Sequence, residues 1–187
     1  MATNIPSRVA HDLGLAAWFG GTLANAVSLN KAAGATSTPS SAGAVTNAGW
    51  DAWTPVNAAA IGAHLVGSVG QLRGNADRLK VQKGVGTMSI VKTVLTAAAL
   101  GVTAYSRVLG KKISAHGDVP VEAGTEPTST TPTEVAQAQK QLKVLQWAIP
   151  ALTGALVVVT AYAGEQQRPQ AVKAGVFDRL NPLSSSV

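Results

Sequence analysis

Residues Ala52–Leu72, AWTPVNAAAIGAHLVGSVGQL, run from Asp51 to Arg73 without a formal charge. The stretch is about as long as the roughly 20 residues a helix needs to cross the hydrocarbon core of a bilayer. Three further stretches of the 187-residue chain match it: Leu13–Asn30, Gly84–Ser106 (interrupted only by Lys92) and Val144–Gly164. Charges return at their ends as Asp12, Lys31, Lys143 and Glu165. The pattern predicts an all-α, polytopic membrane protein, a bundle of four transmembrane helices in a single membrane domain. Its spans fall at about 11–30, 53–73, 86–108 and 142–165, with flexible loops at 31–50 and 115–131 and a C-terminal tail at 166–187.

Composition narrows the function classes. The chain is 46% hydrophobic, with a mean hydropathy of +0.19, because its apolar residues are mostly Ala, Val and Gly. Such helices gain by close packing. The formal charge of +6 comes from bases at span ends, where they anchor helices at headgroups, and not from a patch that follows phosphates. The expected partners are therefore the lipid bilayer and other membrane proteins or further copies of the chain, with no nucleic acid. The absence of cysteine excludes disulfides, thiolate metal sites and thiol nucleophiles. The N-terminus has one base, Arg8, carries Asp12 and lacks a small-residue cleavage pattern, so it reads as a retained span.

Four spans place the N-terminus, the loop 73–83 and the tail on one side, and the loops 31–51 and 107–143 on the other. Arg8, Arg73, Arg78, Lys80, Lys83, Arg168, Lys173 and Arg179 lie on the first side; Lys31, Arg107, Lys111, Lys112, Lys140 and Lys143 lie on the second. Bases are retained preferentially in cytoplasmic loops, so both termini are expected inside. Trp50, Trp53 and Trp147 then belong at the outer boundary.

Thr131-Pro132-Thr133-Glu134 has the form of a capping box with proline at the first helical position. A helix beginning there precedes the fourth span by about a dozen residues, and would protrude roughly 18 Å at 1.5 Å per residue. If the third span continues through Arg107–Ser114, the two form an extramembrane helical hairpin.

The polar residues within the spans follow helical spacing. Asn57, His64, Ser68 and Gln71 share one face of the second span; Trp18, Thr22 and Asn25 share one of the first, with His11 a heptad earlier. Lipid offers no hydrogen-bond partner, so these seams should meet inside the bundle. Matching the midpoints of spans one and two sets Asn57 level with Asn25, His64 with Trp18 or Phe19, and Gln71 with His11. Small-residue steps at Ala59–Ala63–Gly67, Ala17–Gly21 and Gly20–Ala24 predict a tight pair. Two readings of the seam stand: interhelical hydrogen bonding that fixes the bundle, and a ligand site built from His64, Trp18, Asn25, Asn57 and Gln71.

No catalytic constellation emerges from the sequence. Nucleophile motifs, phosphate-cradling glycine loops and paired acids are all missing. A haem between two histidines is disfavoured because the same register sets His11 and His64 roughly 10–13 Å apart in level, and His116 lies outside the spans. No metal, cofactor or enzyme activity is expected.

The first span, His11-x6-Trp18-Phe19-Gly20-Gly21, resembles the opening helix of copper-resistance D type proteins and of related small four-span proteins. Only Met1 and Met88 would offer soft sulfur to copper. The segments Thr54-Pro55-Val56-Asn57, Gln146-Trp147-Ala148-Ile149-Pro150 and Gly164-Glu165-Gln166-Gln167-Arg168-Pro169 are similar to a family of actinobacterial-type four-span proteins of no assigned activity. That resemblance implies a bacterial plasma membrane and supplies no mechanism. The function expected from the sequence is a non-enzymatic integral membrane protein acting as an accessory or scaffold subunit of a membrane assembly. The alternative is small-molecule, ion or proton binding or transport through a polar interior around His64.

Overall fold

Proline in the first turn, where a missing N–H costs nothing, opens α1 (Ile5–Ala24) behind Asn4. The helix continues through a π-helical turn at Asn25–Leu29 into a short α2 (Asn30–Ala33). Its buried positions include His11, Leu15, Trp18, Thr22, Ala26, Asn30 and Ala33. They recur every three or four residues, and the wide turn carries that inner face across to Asn30. The computed structural model describes residues 4–76, 78, 82, 84–117, 119–168, 172–173 and 176–177. Lys80, Lys83, Arg179 and most of the tail lie outside the described residues.

The next helix, α3 (Pro39–Gly74), starts far earlier than the second charge-free stretch. Thr38 caps it by accepting from the Ser41 N–H at 3.2 Å, and Pro39 again occupies the first turn. The predicted flexible loop at 31–50 is therefore mostly helix. Its small residues looked unable to build a core, but they serve a close approach. A Cβ on Gly43 would lie 2.6 Å from the Val119 carbonyl oxygen, and Ala42, Gly43 and Thr46 are buried.

Gly84, at φ +86°, supplies the left-handed residue that launches α4 (Val85–Ser114). A two-stranded antiparallel hairpin follows, β1 (Val121–Ala123) paired with β2 (Glu126–Pro127), before α5 (Thr133–Glu165). The flexible loop expected at 115–131 is thus in part an ordered hairpin docked on α3, with Val119, Val121, Thr125 and Thr131 buried.

The capping box does not form. Pro132 is the N-cap residue of α5, which has no side-chain cap. The Thr131 hydroxyl instead donates to the Pro120 carbonyl at 2.6 Å and accepts from the Thr128 N–H at 2.9 Å. Glu134 pairs with Lys112 at 3.3 Å, joining the two helix ends in an exposed contact. The helical hairpin nevertheless has its own small core of Leu109, Ile113, Val119, Val135 and Ala138. Thr131→Val, which removes the shorter of two hydroxyl contacts to the part-buried Pro120 carbonyl, the other being Thr128 Oγ1 at 3.4 Å, is expected to cost about 1 kcal/mol. Glu134→Ala, at a solvated ion pair, should cost less than about 0.5 kcal/mol. Chemical unfolding would read both, and equal losses would restore the capping box.

The four long helices pack in the order α3, α1, α5, α4, while α3 and α4 meet at only a few points. Asn4, Gly74, Arg78 and Gln166 gather at one end and the β-hairpin sits at the other. The interior mixes large apolar groups with polar ones: Leu15, Trp18, Ile149 and Leu156 are buried alongside His11, His64 and Thr153. Large apolar groups point outward on every long helix, among them Leu13, Val66, Ile90, Val94 and Val158. Two of the helices, α4 and α5, are long and apolar enough to cross a membrane.

The α1–α3 pair is tight, but its register differs from the midpoint estimate by more than a helical turn. Gly14 meets Ala60 and His64, Gly67 meets Ser7 and His11, and Gly74 meets Asn4. Closest approach is set by where both helices lack Cβ atoms, and that ladder runs to the end of α3. Of the small-residue steps expected, Gly67 is buried, whereas Ala59, Ala17, Gly20 and Ala24 face outward. Trp53 packs against Gly21 of α1.

Candidate functional site

The slipped register brings together two histidines that the sequence reading separated. The His11 and His64 rings lie 4.5 Å apart between centroids, and Trp18 meets His64 edge-on at 6.0 Å. The level difference used against a two-histidine haem is therefore wrong; the rings touch one another. A carbonyl only accepts, so the contact of His64 Nδ1 with the His11 carbonyl at 3.4 Å puts the proton on Nδ1. His64 Nε2 is then the acceptor for the Thr96 hydroxyl at 3.5 Å. His11 Nδ1 faces the Asp12 carboxylate at 2.6 Å, while its buried Nε2 has no partner. Among the described residues, no three His, Cys, Asp or Glu side chains come together to hold a metal.

The cleft left between α3 and α4 opens into two cavities. The one at the β-hairpin end, called the outer cavity for that position, has a volume of about 310 Å³ and is lined by Asn57 and Trp53 of α3, Thr103, Ser106 and Arg107 of α4, and Gln146 of α5. Asn30 organises its rim, accepting from Trp50 Nε1 at 3.0 Å and donating to Gln146 Oε1. Gly124 of the hairpin turn closes on Asn30, and a Cβ there would lie 2.4 Å from its Oδ1. Arg107 pairs with Asp51 at 2.8 Å, which neutralises its charge.

What distinguishes this cavity is its unused hydrogen-bonding capacity. Trp53 Nε1, Asn57 Oδ1, Thr103 Oγ1, Ser106 Oγ and Arg107 Nε are all buried without a partner. Most helical hydroxyls elsewhere in the bundle donate to the carbonyl four residues back, as Thr22, Thr54, Ser68, Ser89 and Thr153 do, with Thr160 an exception. Thr103 and Ser106 on α4 do not. Buried polar groups are ordinarily satisfied, so five of the eleven orphans among the described residues falling on residues that line one space concentrate unused bonding capacity beside it.

The inner cavity, of about 570 Å³, is lined by Gln71 and Asn75 beside Arg78, and by Lys92 and Thr96 of α4. Arg78 holds Gln82 Oε1 and the Gln166 carbonyl, at 2.9 Å each. Burial, and secondarily Arg8, lower its pKa from the ordinary arginine value.

The five residues proposed from the sequence are therefore dispersed. His64 and Trp18 meet in the α1–α3 contact; Asn57 lines the outer cavity and Gln71 the inner. Asn25 begins the π-helical turn and does not bond to Asn57, since Asn25 Nδ2 and Asn57 Oδ1 are both unpartnered. Sequence reasoning missed Asn30, Trp53, Thr103 and Ser106 as a group. The spacing of Thr103 from Thr96 was visible, but convergence with α3 depends on how the helices splay. No family model, curated protein or solved structure matches the chain.

Proposed function

We propose that this chain is a non-enzymatic, four-span protein of a bacterial plasma membrane that binds a small neutral molecule in the outer cavity between α3 and α4. The five unpartnered polar atoms around that cavity carry the reading. Indole, guanidinium and hydroxyl donors beside an amide oxygen suit a compact molecule with carbonyl or hydroxyl groups. Asp51 already neutralises Arg107, which favours a ligand without net charge. The volume is at the lower end of the roughly 300–1,000 Å³ typical of small-molecule sites.

Membrane insertion is supported by the length and apolar character of α4 and α5, and for α1 and α3 by the large apolar side chains that point outward from them. The resemblance to actinobacterial-type four-span proteins agrees with it. Both termini are taken as cytoplasmic. Single cysteines at the exposed positions Ser40 and Arg73 would test this, because the chain has no native thiol. Labelling at position 73 by an impermeant reagent in intact cells would sink the orientation.

For the ligand, the expected result is a small molecule that co-purifies in mild detergent. It should be lost from Asn57→Leu and Thr103→Val variants whose helical content and thermal midpoint persist. A wild-type protein that carries nothing, and whose midpoint no neutral amide or aromatic alcohol moves, would end the binding reading. A second reading, an accessory or scaffold subunit, draws on how little α3 and α4 touch. A partner helix or a second copy could fill the same cleft, and co-purifying subunits would select that role.

A further inference from the structure

The inner cavity is chemically unlike the outer one. The charged side chains among its described lining residues, Arg78 and Lys92, are both positive, and the one acid acting on them is Asp12 of α1, which lies outside the lining and faces Lys92. Among the described residues, Arg78 bonds to neutral acceptors, the Asn75 and Gln82 side chains and the Gln166 carbonyl. Gln71 Nε2 is a buried donor with no partner at the same end. The N-terminus of α4, at Val85, opens onto this mouth and adds the positive end of a helix dipole. The remaining wall is mainly apolar, through Leu65, Val69 and Leu100 with the hydroxyls of Ser68, Ser89, Thr93 and Thr96 among them, and follows the α3–α4 cleft.

A molecule that satisfies both parts has an anionic, acceptor-rich head and an apolar tail. We propose that the inner cavity binds an anionic phospholipid, its phosphate against Arg78, Lys92 and Gln71 and one acyl chain laid between α3 and α4. Basic pockets between membrane helices are suited to acidic headgroups, and each base near the surface adds about fivefold in affinity. Free phosphate would use only the polar end, whereas the apolar wall selects a lipid. The site rests on the four-span reading, because a chain reaches the cleft only if its open side faces the bilayer.

The test has two stages. Alkaline extraction of membranes first asks whether the protein stays in the bilayer. Protein reconstituted with phosphatidylglycerol and phosphatidylcholine of identical chains is then examined by native mass spectrometry for retained lipid. Wild type should prefer phosphatidylglycerol by about twenty-fivefold at low salt, the product of two bases. The R78Q/K92Q double variant should retain both lipids equally. Arg168→Gln, which removes an exposed arginine paired with Glu165, should leave the preference intact. Inorganic phosphate alone should not displace the lipid.

Equal retention of the two lipids by wild type overturns the proposal without relying on any variant's folding. Displacement by phosphate alone overturns the lipid as occupant. A protein stripped from membranes by alkali defeats the four-span reading and this site together. One that stays in the bilayer without lipid preference defeats the site alone.

Discussion

Gly67→Ala is expected to destabilise the bundle by about 3 kcal/mol, the upper end of what overpacking costs, although the substitution adds a single methyl group. A Cβ at this position would lie 2.3 Å from the His11 backbone nitrogen and 2.5 Å from the Ser7 carbonyl oxygen. Both are backbone atoms, so no side-chain rotation relieves the clash and α1 must move away from α3. Gly62, five positions earlier on the same helix, has nothing within 4 Å of its virtual Cβ. Gly62→Ala should stabilise by up to about 1 kcal/mol through helix propensity alone. Opposite signs from one substitution type on one helix separate close approach from propensity. Thermal or chemical unfolding in one detergent would measure both, and shifts of the same sign would mean that the α1–α3 contact is not as close as described.

His64→Ala should cost about 3 kcal/mol and His64→Leu about 1–2 kcal/mol, because alanine adds a void to the lost polar contacts and leucine largely fills it. The ring is fully enclosed, set against His11 and Trp18 with Thr96 at its far nitrogen. His64 does not line either cavity, so both variants that remain folded should keep the co-purifying molecule. Loss of that molecule from a His64→Leu protein of unchanged stability would return function to the histidine pair. The experiment also distinguishes the two readings the sequence left open for this residue, interhelical bonding and ligand binding.

The exposed and enclosed positions of α3 show how far sequence periodicity reaches. Asn57, His64, Ser68 and Gln71 share the face that their spacing assigns them, and none is among the outward-pointing residues, which include Val56, Leu65 and Val66. Periodicity gives a face because each residue turns the helix by a fixed angle. It does not give axial position. Sliding α1 along α3 leaves every residue on its face, so nothing in the spacing of His11 or His64 reveals that their rings are in contact.

Short segments were legible or hidden for the same kind of reason. Thr38-Pro39 is a local start signal, and the helix it begins extends into a region whose composition reads as loop. Thr131 carries the pattern of a cap, but the Pro120 carbonyl, eleven residues earlier, wins its hydroxyl. A side chain bonds to whichever acceptor tertiary packing brings nearest, and sequence distance does not rank them.

The sequence by itself determined the central stretch of each long helix and the inward face of its polar residues, because charge-free length and a 3.6-residue period are properties of each segment alone. It also marked Gly67 as a packing residue and His64 as an enclosed one. Only the tertiary structure decided which polar groups share a space. The glycine ladder of Gly14, Gly67 and Gly74 chose the α1–α3 register, and α5 lies between α1 and α4. The cleft that remains between α3 and α4 then placed Asn57 with Thr103 and Ser106, and Gln71 with Lys92. Those groupings arise from the backbone separation at which two surfaces can touch, a quantity that belongs to pairs of helices and to neither sequence alone.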